Sequence, residues 1–186
     1  MKKLSLLLCT FAFAQAVSAQ NSFVVMPEIG TGIAVIDLLG DDDYKASFHF
    51  NIGLTLGVTQ GNDKGTNFYG MYLARNGYGH TGENPHKSGE DCTISRGSFN
   101  LGMQFLHRTN FGLMYGGIVG VNKWDEKYSI VSKDSSNTYN GDDKSIFTLK
   151  AKVGYCWSHV GLFMETGYNK GFELNYTIAF PLYSSK

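Results

Sequence analysis

The sequence predicts an all-β protein, an eight-stranded antiparallel up-and-down transmembrane β-barrel. Three observations carry that expectation. Phe48, Phe50, Ile52, Leu54, Leu56 and Val58 occupy every second position, with Ser47, His49, Asn51, Gly53, Thr55, Gly57 and Thr59 around and between them. A period of two over this length is an extended strand with one oily face. The other face is small and mildly polar with almost no charge, which suits a narrow lumen behind a lipid-facing wall. Aromatic residues make up 14% of the chain and glycine 23 of 186 residues, against 3 prolines, a balance that fits a tight interior and aromatic girdles. The segments that follow each other along the chain repeat the alternation.

Residues 1–19 read as a secretory signal peptide and residues 20–186 as the barrel domain. Lys2 and Lys3 supply the positive start, Leu4 to Ala14 the apolar stretch, and Val17-Ser18-Ala19 the small-residue cleavage site. The apolar stretch is too short to span a bilayer as a helix. Removing Lys2 and Lys3 from the 16 Lys and Arg leaves 14 against 16 Asp and Glu, a net charge of −2. That balance argues against a nucleic-acid partner, which needs a basic surface. Two cysteines survive processing, Cys92 and Cys156, and the strand map puts them near opposite ends of the barrel, so no bond between them is expected.

The first strand runs over about 22–36, with Phe23, Val25, Ile29, Ile33 and Val35 opposite Glu28, Gly30, Gly32 and Ala34. The second is the run described above. In the third, about 66–76, Tyr69, Met71 and Leu73 compete with Phe68 and Tyr72 for the outer face. The fourth, about 94–107, sets Phe99, Leu101, Met103 and Phe105 against Ser98, Asn100, Gly102 and Gln104. The fifth, about 111–123, sets Phe111, Leu113, Tyr115, Val119 and Val121 against Met114, Ile118, Asn122 and three glycines. The sixth, about 145–157, places Phe147, Leu149, Val153, Tyr155 and Trp157 outside and Thr148, Lys150, Lys152 and Gly154 inside. The seventh, about 160–168, and the eighth, about 172–182, turn Glu165 and Glu173 inward.

The connections alternate in length. Residues 37–44, 77–93 and 124–144 read as the longer loops, whereas 61–65, 108–110 and 158–159 read as turns. Short periplasmic turns and longer outer loops are the habit of outer-membrane barrels. A soluble lipocalin-like barrel also alternates, with its apolar face inward. The Gly, Thr, Ser, Asn and Ala of the second face favour the membrane version.

The pattern resembles the small eight-stranded outer-membrane barrels, the transmembrane domain of outer-membrane protein A and the whole of outer-membrane protein X, across the mature chain. The most specific piece is Lys170-Gly171-Phe172-Glu173-Leu174-Asn175-Tyr176, in which Gly171, Leu174 and Tyr176 are similar to the signal read by the barrel-assembly machinery. The usual terminal aromatic is displaced here, because Ser184-Ser185-Lys186 follow Tyr183. The resemblance implies a structural, adhesive or binding role at the surface of a Gram-negative bacterium after Sec-type export. It implies outer-membrane lipid and lipopolysaccharide as surroundings, a monomer, and an extracellular ligand taken through loops 37–44, 77–93 and 124–144. The chain stops after the last strand, so no peptidoglycan-binding domain is expected.

Glu28, Lys150, Lys152, Glu165 and Glu173 are the sharpest chemical feature, because they point inward from strands consecutive around a closed barrel. A two-residue turn at Ser158-His159 puts Lys152 opposite Glu165. A lone charge in a narrow lumen is costly, so the five are expected to pair into a plug; the alternative is a narrow gated channel. Eight strands leave an interior that side chains fill, which makes a general diffusion pore a poor fit. His80, Glu83, His86, Glu90, Asp91 and Cys92 are of metal-ligating types, but their spacing matches no metal site, and neither a metal nor a cofactor is expected. Asp41-Asp42-Asp43 reads as a solvated charged loop. Some barrels of this size modify lipid A, yet Ser158, His159, His107 and His49 make no credible triad, so no catalytic residue is assigned. Phe23, Tyr44, Phe111, Trp124, Phe147, Tyr155, Trp157, Tyr168 and Tyr183 read as interfacial aromatic rings.

Overall fold

The computed structural model describes residues 22–39, 44–62, 65–141, 144–169 and 171–183. The expected signal peptide, Asp41-Asp42-Asp43, Lys170 and Ser184-Ser185-Lys186 lie outside the described residues. The described strands are β1 (Ser22–Asp37), β2 (Tyr44–Asn62), β3 (Gly65–Glu83), β4 (Asp91–Thr109), β5 (Leu113–Ser132), β6 (Ser136–Asn140), β7 (Ser145–Cys156), β8 (Gly161–Tyr168), β9 (Gly171–Ala179) and β10 (Leu182–Tyr183). Antiparallel pairing runs β1-β2-β3-β4-β5-β7-β8-β9, and β9 pairs back onto β1. The eight-stranded barrel is therefore closed, and its backbone groups find partners within the wall, as hydrocarbon demands.

Alternation decides which face each residue takes. Asn175 on β9 is fully buried while its neighbour Tyr176 is 62% exposed. The ambiguous third strand resolves the same way: Tyr69 and Met71 face out, while Phe68 and Tyr72 are buried. Outward Ile29 sits halfway along β1 and pairs with Ile52 on one side and Ile178 on the other, so an apolar row crosses the seam where the barrel closes.

Several boundaries differ from the sequence expectation. Residues 77–93 are not one long loop. Gly77 to Glu83 continue β3, and Asp91 to Thr93 begin β4, leaving only 84–90 as the connection. Residues 124–144 are likewise mostly structured, because β5 runs on to Ser132 and β6 folds back onto it through Val131↔Ser136 and Lys127↔Asn140. Short-range periodicity failed here because the outward positions become Gly, Ser and Thr once the wall leaves lipid, so the alternation loses contrast. Of 37–44, Asp37 and Tyr44 are strand ends, and Leu38 packs inside the barrel mouth. The tight turn expected at 108–110 falls at 110–112, where Gly112 takes a φ of 97° and its N–H reaches the Thr109 carbonyl at 3.0 Å. The final strand breaks at Phe180-Pro181, since proline has no N–H to give the ladder, and resumes as β10 in the same register on β1.

β5 carries the main irregularity. Arg96 pairs with Tyr128 and Ser98 with Trp124, so Asp125, Glu126 and Lys127 bulge opposite Gly97. The bulge inserts an even number of residues, so side-chain alternation survives it. The inward Arg96 guanidinium donates to the Asp125 carbonyl at 2.8 and 3.1 Å and to the Leu38 carbonyl at 3.0 Å. On the outer surface the Asp125 carboxylate accepts from both terminal guanidinium nitrogens of Arg75, Nη1 and Nη2. The bulge is thus pinned from both faces of the wall.

Candidate functional site

The lumen is layered. At the end bearing the turns, Val24, Met26, Phe68, Leu106, Met114, Cys156, Phe163 and Ala179 form an apolar plug. At the loop end, Ala34, Ile36, Leu38, Tyr78, Cys92, Ile94, Trp124, Tyr128 and Ile130 form a second one, with Leu39, Tyr139 and Ile146 packed against it. Between them lies a polar layer containing Asn51, Thr55, Asn100, Gln104, Asn122, Thr148, Asn175 and Thr177, all buried. Cys92 and Cys156 are free and belong to opposite plugs.

The five charged residues singled out from sequence meet in the polar layer. The register sets Lys152 opposite Glu165, and the Lys152 ammonium bridges Glu165 Oε1 at 2.9 Å and Glu28 Oε2 at 2.6 Å. It also lies 4.7 Å from the centroid of the Phe163 ring. Glu28 Oε1 accepts from Gln104 at 3.2 Å and Thr55 at 3.4 Å. Lys150 pairs with Glu173, and Glu173 Oε2 accepts from the Tyr78 hydroxyl at 3.2 Å. These contacts tie β7, β8, β9 and β1 to β2, β3 and β4 through the middle of the barrel. Each of these five buried charges has an ionic partner, and Glu28 and Glu173 take added hydrogen bonds; deleting one partner leaves a buried charge poorly offset.

A column of rings that sequence reading missed stands above this network. His49 stacks on Tyr78 with centroids 4.5 Å apart, Tyr78 stacks on Trp124 at 4.8 Å, and the Arg96 guanidinium sits 5.5 Å from the Trp124 ring. His49 is further held by Asn175 and, at 3.4 Å, Asn76. Trp124 is buried, which corrects its expected place in an interfacial ring. The signal for it was present: Asn122 points inward and Trp124 is two residues on. Arg96 shares the parity of the inward Ser98 and was findable by the same rule. The other residues read as rings, among them Phe23, Tyr44, Phe111, Phe147, Tyr155, Trp157, Tyr168 and Tyr183, are exposed on the outer surface.

Gly171, Leu174 and Tyr176 lie on the last strand of the ring. Gly171 has a φ of 152°, and a Cβ there would run into the Val35 carbonyl oxygen. Leu174 is half-buried and Tyr176 faces out.

The potential ligand residues of the second outer loop go to separate partners. His80 Nδ1 contacts the Ala46 carbonyl at 2.8 Å, and the His86 ring lies tilted against Tyr139 with centroids 4.5 Å apart. The Gly89 N–H at 2.8 Å and the Ser88 hydroxyl at 3.2 Å donate to the Glu83 carboxylate and hold its pKa below the ordinary value. Among the described residues no three His, Cys, Asp or Glu side chains gather as a metal site.

No protein-family model matches the chain, and no curated protein sequence matches it. Solved structures do. The attachment invasion locus protein Ail of Yersinia pestis superposes with a TM-score of 0.50 at 12% identity, over 87% of this chain and 97% of Ail. Neisserial surface protein A superposes with a TM-score of 0.51 at 14% identity, over 85% of this chain and 96% of that one. At such identities the likeness speaks for the fold alone. The chain has the fold of the small eight-stranded outer-membrane β-barrels.

Proposed function

We propose that this chain is a surface protein of the outer membrane of a Gram-negative bacterium, exported with its first 19 residues as a Sec signal and inserted as a monomer by the barrel-assembly machinery. Its job in this reading is to display loops for adhesion or binding, in the manner of the outer-membrane protein X type. The observation that carries the reading is the asymmetry of the wall. β3, β4 and β5 span 19–20 residues each. A membrane strand needs roughly 9–11. The excess lies at the loop end, where β6 extends it, and the result is a raised sheet of β3 to β6 standing over a plugged barrel.

The two apolar plugs stand against the alternative of a narrow gated conductor. A lipid A-modifying enzyme fits less well still, since His49 is enclosed among Asn76, Asn175 and Tyr78 and Ser158-His159 sits at the turn end. The name of Ail, an attachment and invasion protein, is consistent with adhesion. The test is binding of whole cells to cultured host cells and matrix-coated wells after deletion of residues 133–141, with surface assembly verified by heat-modifiable gel migration. Loss of attachment with an intact barrel supports the proposal, and undiminished attachment rejects it.

A further inference from the structure

A groove of about 510 Å³ lies on the outside of the wall, where the apolar band gives way to the raised sheet. Phe48, Phe50 and Ile52 of β2 form one side. The floor is set by register: Phe50 faces Gly77, Phe48 faces Gly79, Gly77 faces Gly97 and Gly79 faces Ser95. β5 closes the far side with Asp125 and Lys127 of the bulge and with Ser129, which pairs with Ser95. A Cβ added at Gly77 or Gly79 meets nothing within 4 Å, so the hollow is open space and not a glycine packing contact.

Its height in the wall follows from pairing. Starting halfway along β1, a single row runs Ile29, Ile52, Arg75, Phe99, Lys123 and ends at Ser145, the first residue of β7. Barrel strands tilt about 35–45°, so this row climbs from the middle of the membrane to its loop-side rim. Ile52 is then the deep end of the groove. Gly79, Ser95 and Lys127 are its shallow end, at the level of lipid headgroups. Arg75 lies in between and turns upward onto Asp125. That pairing engages the Asp125 carboxylate and leaves the Lys127 ammonium as the charge facing the upper groove.

An occupant must therefore be apolar below, flat and hydrogen-bonding in the middle, and anionic at the top. The floor spans β2 to β4, roughly 10 Å at the usual strand spacing, which is wider than one extended acyl chain and suits a sugar ring. We propose that this groove seats one phosphorylated glycolipid of the outer leaflet. An acyl chain lies along Phe50 and Ile52, the hexosamine rests on Gly77, Gly79 and Ser95 beside the Arg75–Asp125 pair that covers Gly97, and a phosphate meets Lys127. The assignment rests on the loop end facing outward and is independent of the adhesive role.

The experiment uses the full barrel in mixed micelles with a diphosphorylated, acylated glucosamine disaccharide and an equal amount of phosphatidylglycerol, with retained lipid counted by native mass spectrometry. The wild type is expected to keep one glycolipid in preference to phosphatidylglycerol. Lys127→Glu, and Gly77→Leu with Gly79→Leu to fill the floor, should each lower that retention at least fivefold. With dephosphorylated glycolipid the Lys127→Glu effect should vanish. Equal retention of the two lipids overturns the proposal, as does unchanged retention in the variants. If the leucine variant fails to fold, as judged by heat-modifiable migration, Lys127→Glu decides alone, because it alters only an exposed side chain.

Discussion

The two halves of the ring solve different problems. β7, β8 and β9 are 8–12 residues long and supply four of the five charges that meet in the middle layer, Lys150, Lys152, Glu165 and Glu173. β2, β3, β4 and β5 are 19–20 residues long, and their buried polar residues in the middle layer are uncharged amides and hydroxyls such as Asn51, Thr55, Asn100, Gln104 and Asn122, together with His49. The short half spans the membrane and stops. The long half spans it and goes on. A closed barrel can thus concentrate its charged contacts beside the seam where β9 meets β1, and leave the other strands free to rise into the raised sheet.

The largest expected effect attacks the charged half. Lys152→Met removes the ammonium lying between Glu28 and Glu165 and should cost about 3–5 kcal/mol in urea unfolding of the vesicle-inserted barrel, the usual loss when one partner of a buried pair is deleted. Asn100→Leu, in the uncharged half, should cost less. Equal losses would break the comparison. Next, Ile52→Arg places a cation near the bilayer midplane and should cost about 2–4 kcal/mol. Val131→Arg lies on the same long half but above the lipid, and should change stability by less than about 0.5 kcal/mol. That contrast fixes where the wall leaves the membrane.

The smallest effect concerns pH. The native Glu83 carboxylate has a pKa below its ordinary value of 4.5, so its contribution to the 84–90 connection is present above that value. It is lost as pH falls through the lowered native pKa. The protection of the Gly89 amide, its exchange rate compared with the intrinsic rate at the same pH, should fall over that acid range, and Glu83→Gln should abolish that pH dependence.

The outward–inward pattern was legible because lipid makes every second residue apolar, and the pairing of Lys152 with Glu165 followed from one two-residue turn. The raised sheet was not legible. Gly77, Thr93, Ser95 and Ser129 alternate with buried residues just as regularly, but their outward faces meet water, where small polar residues look like loop. The Phe180-Pro181 break was foreseeable from proline's missing N–H. The bulge at Asp125 was not, since nothing in 125–127 departs from a solvated segment until Arg75 and Arg96 close on it from opposite faces.

The apolar face of this barrel meets lipid while the upper wall meets water. Nitroxide labels at Ile52→Cys and Val131→Cys, in a background whose native cysteines are buried, test it in reconstituted bilayers. The account predicts that the label at 52 collides with oxygen and is shielded from a water-soluble nickel complex, with the reverse at 131. Free access of the nickel complex to position 52 would contradict it.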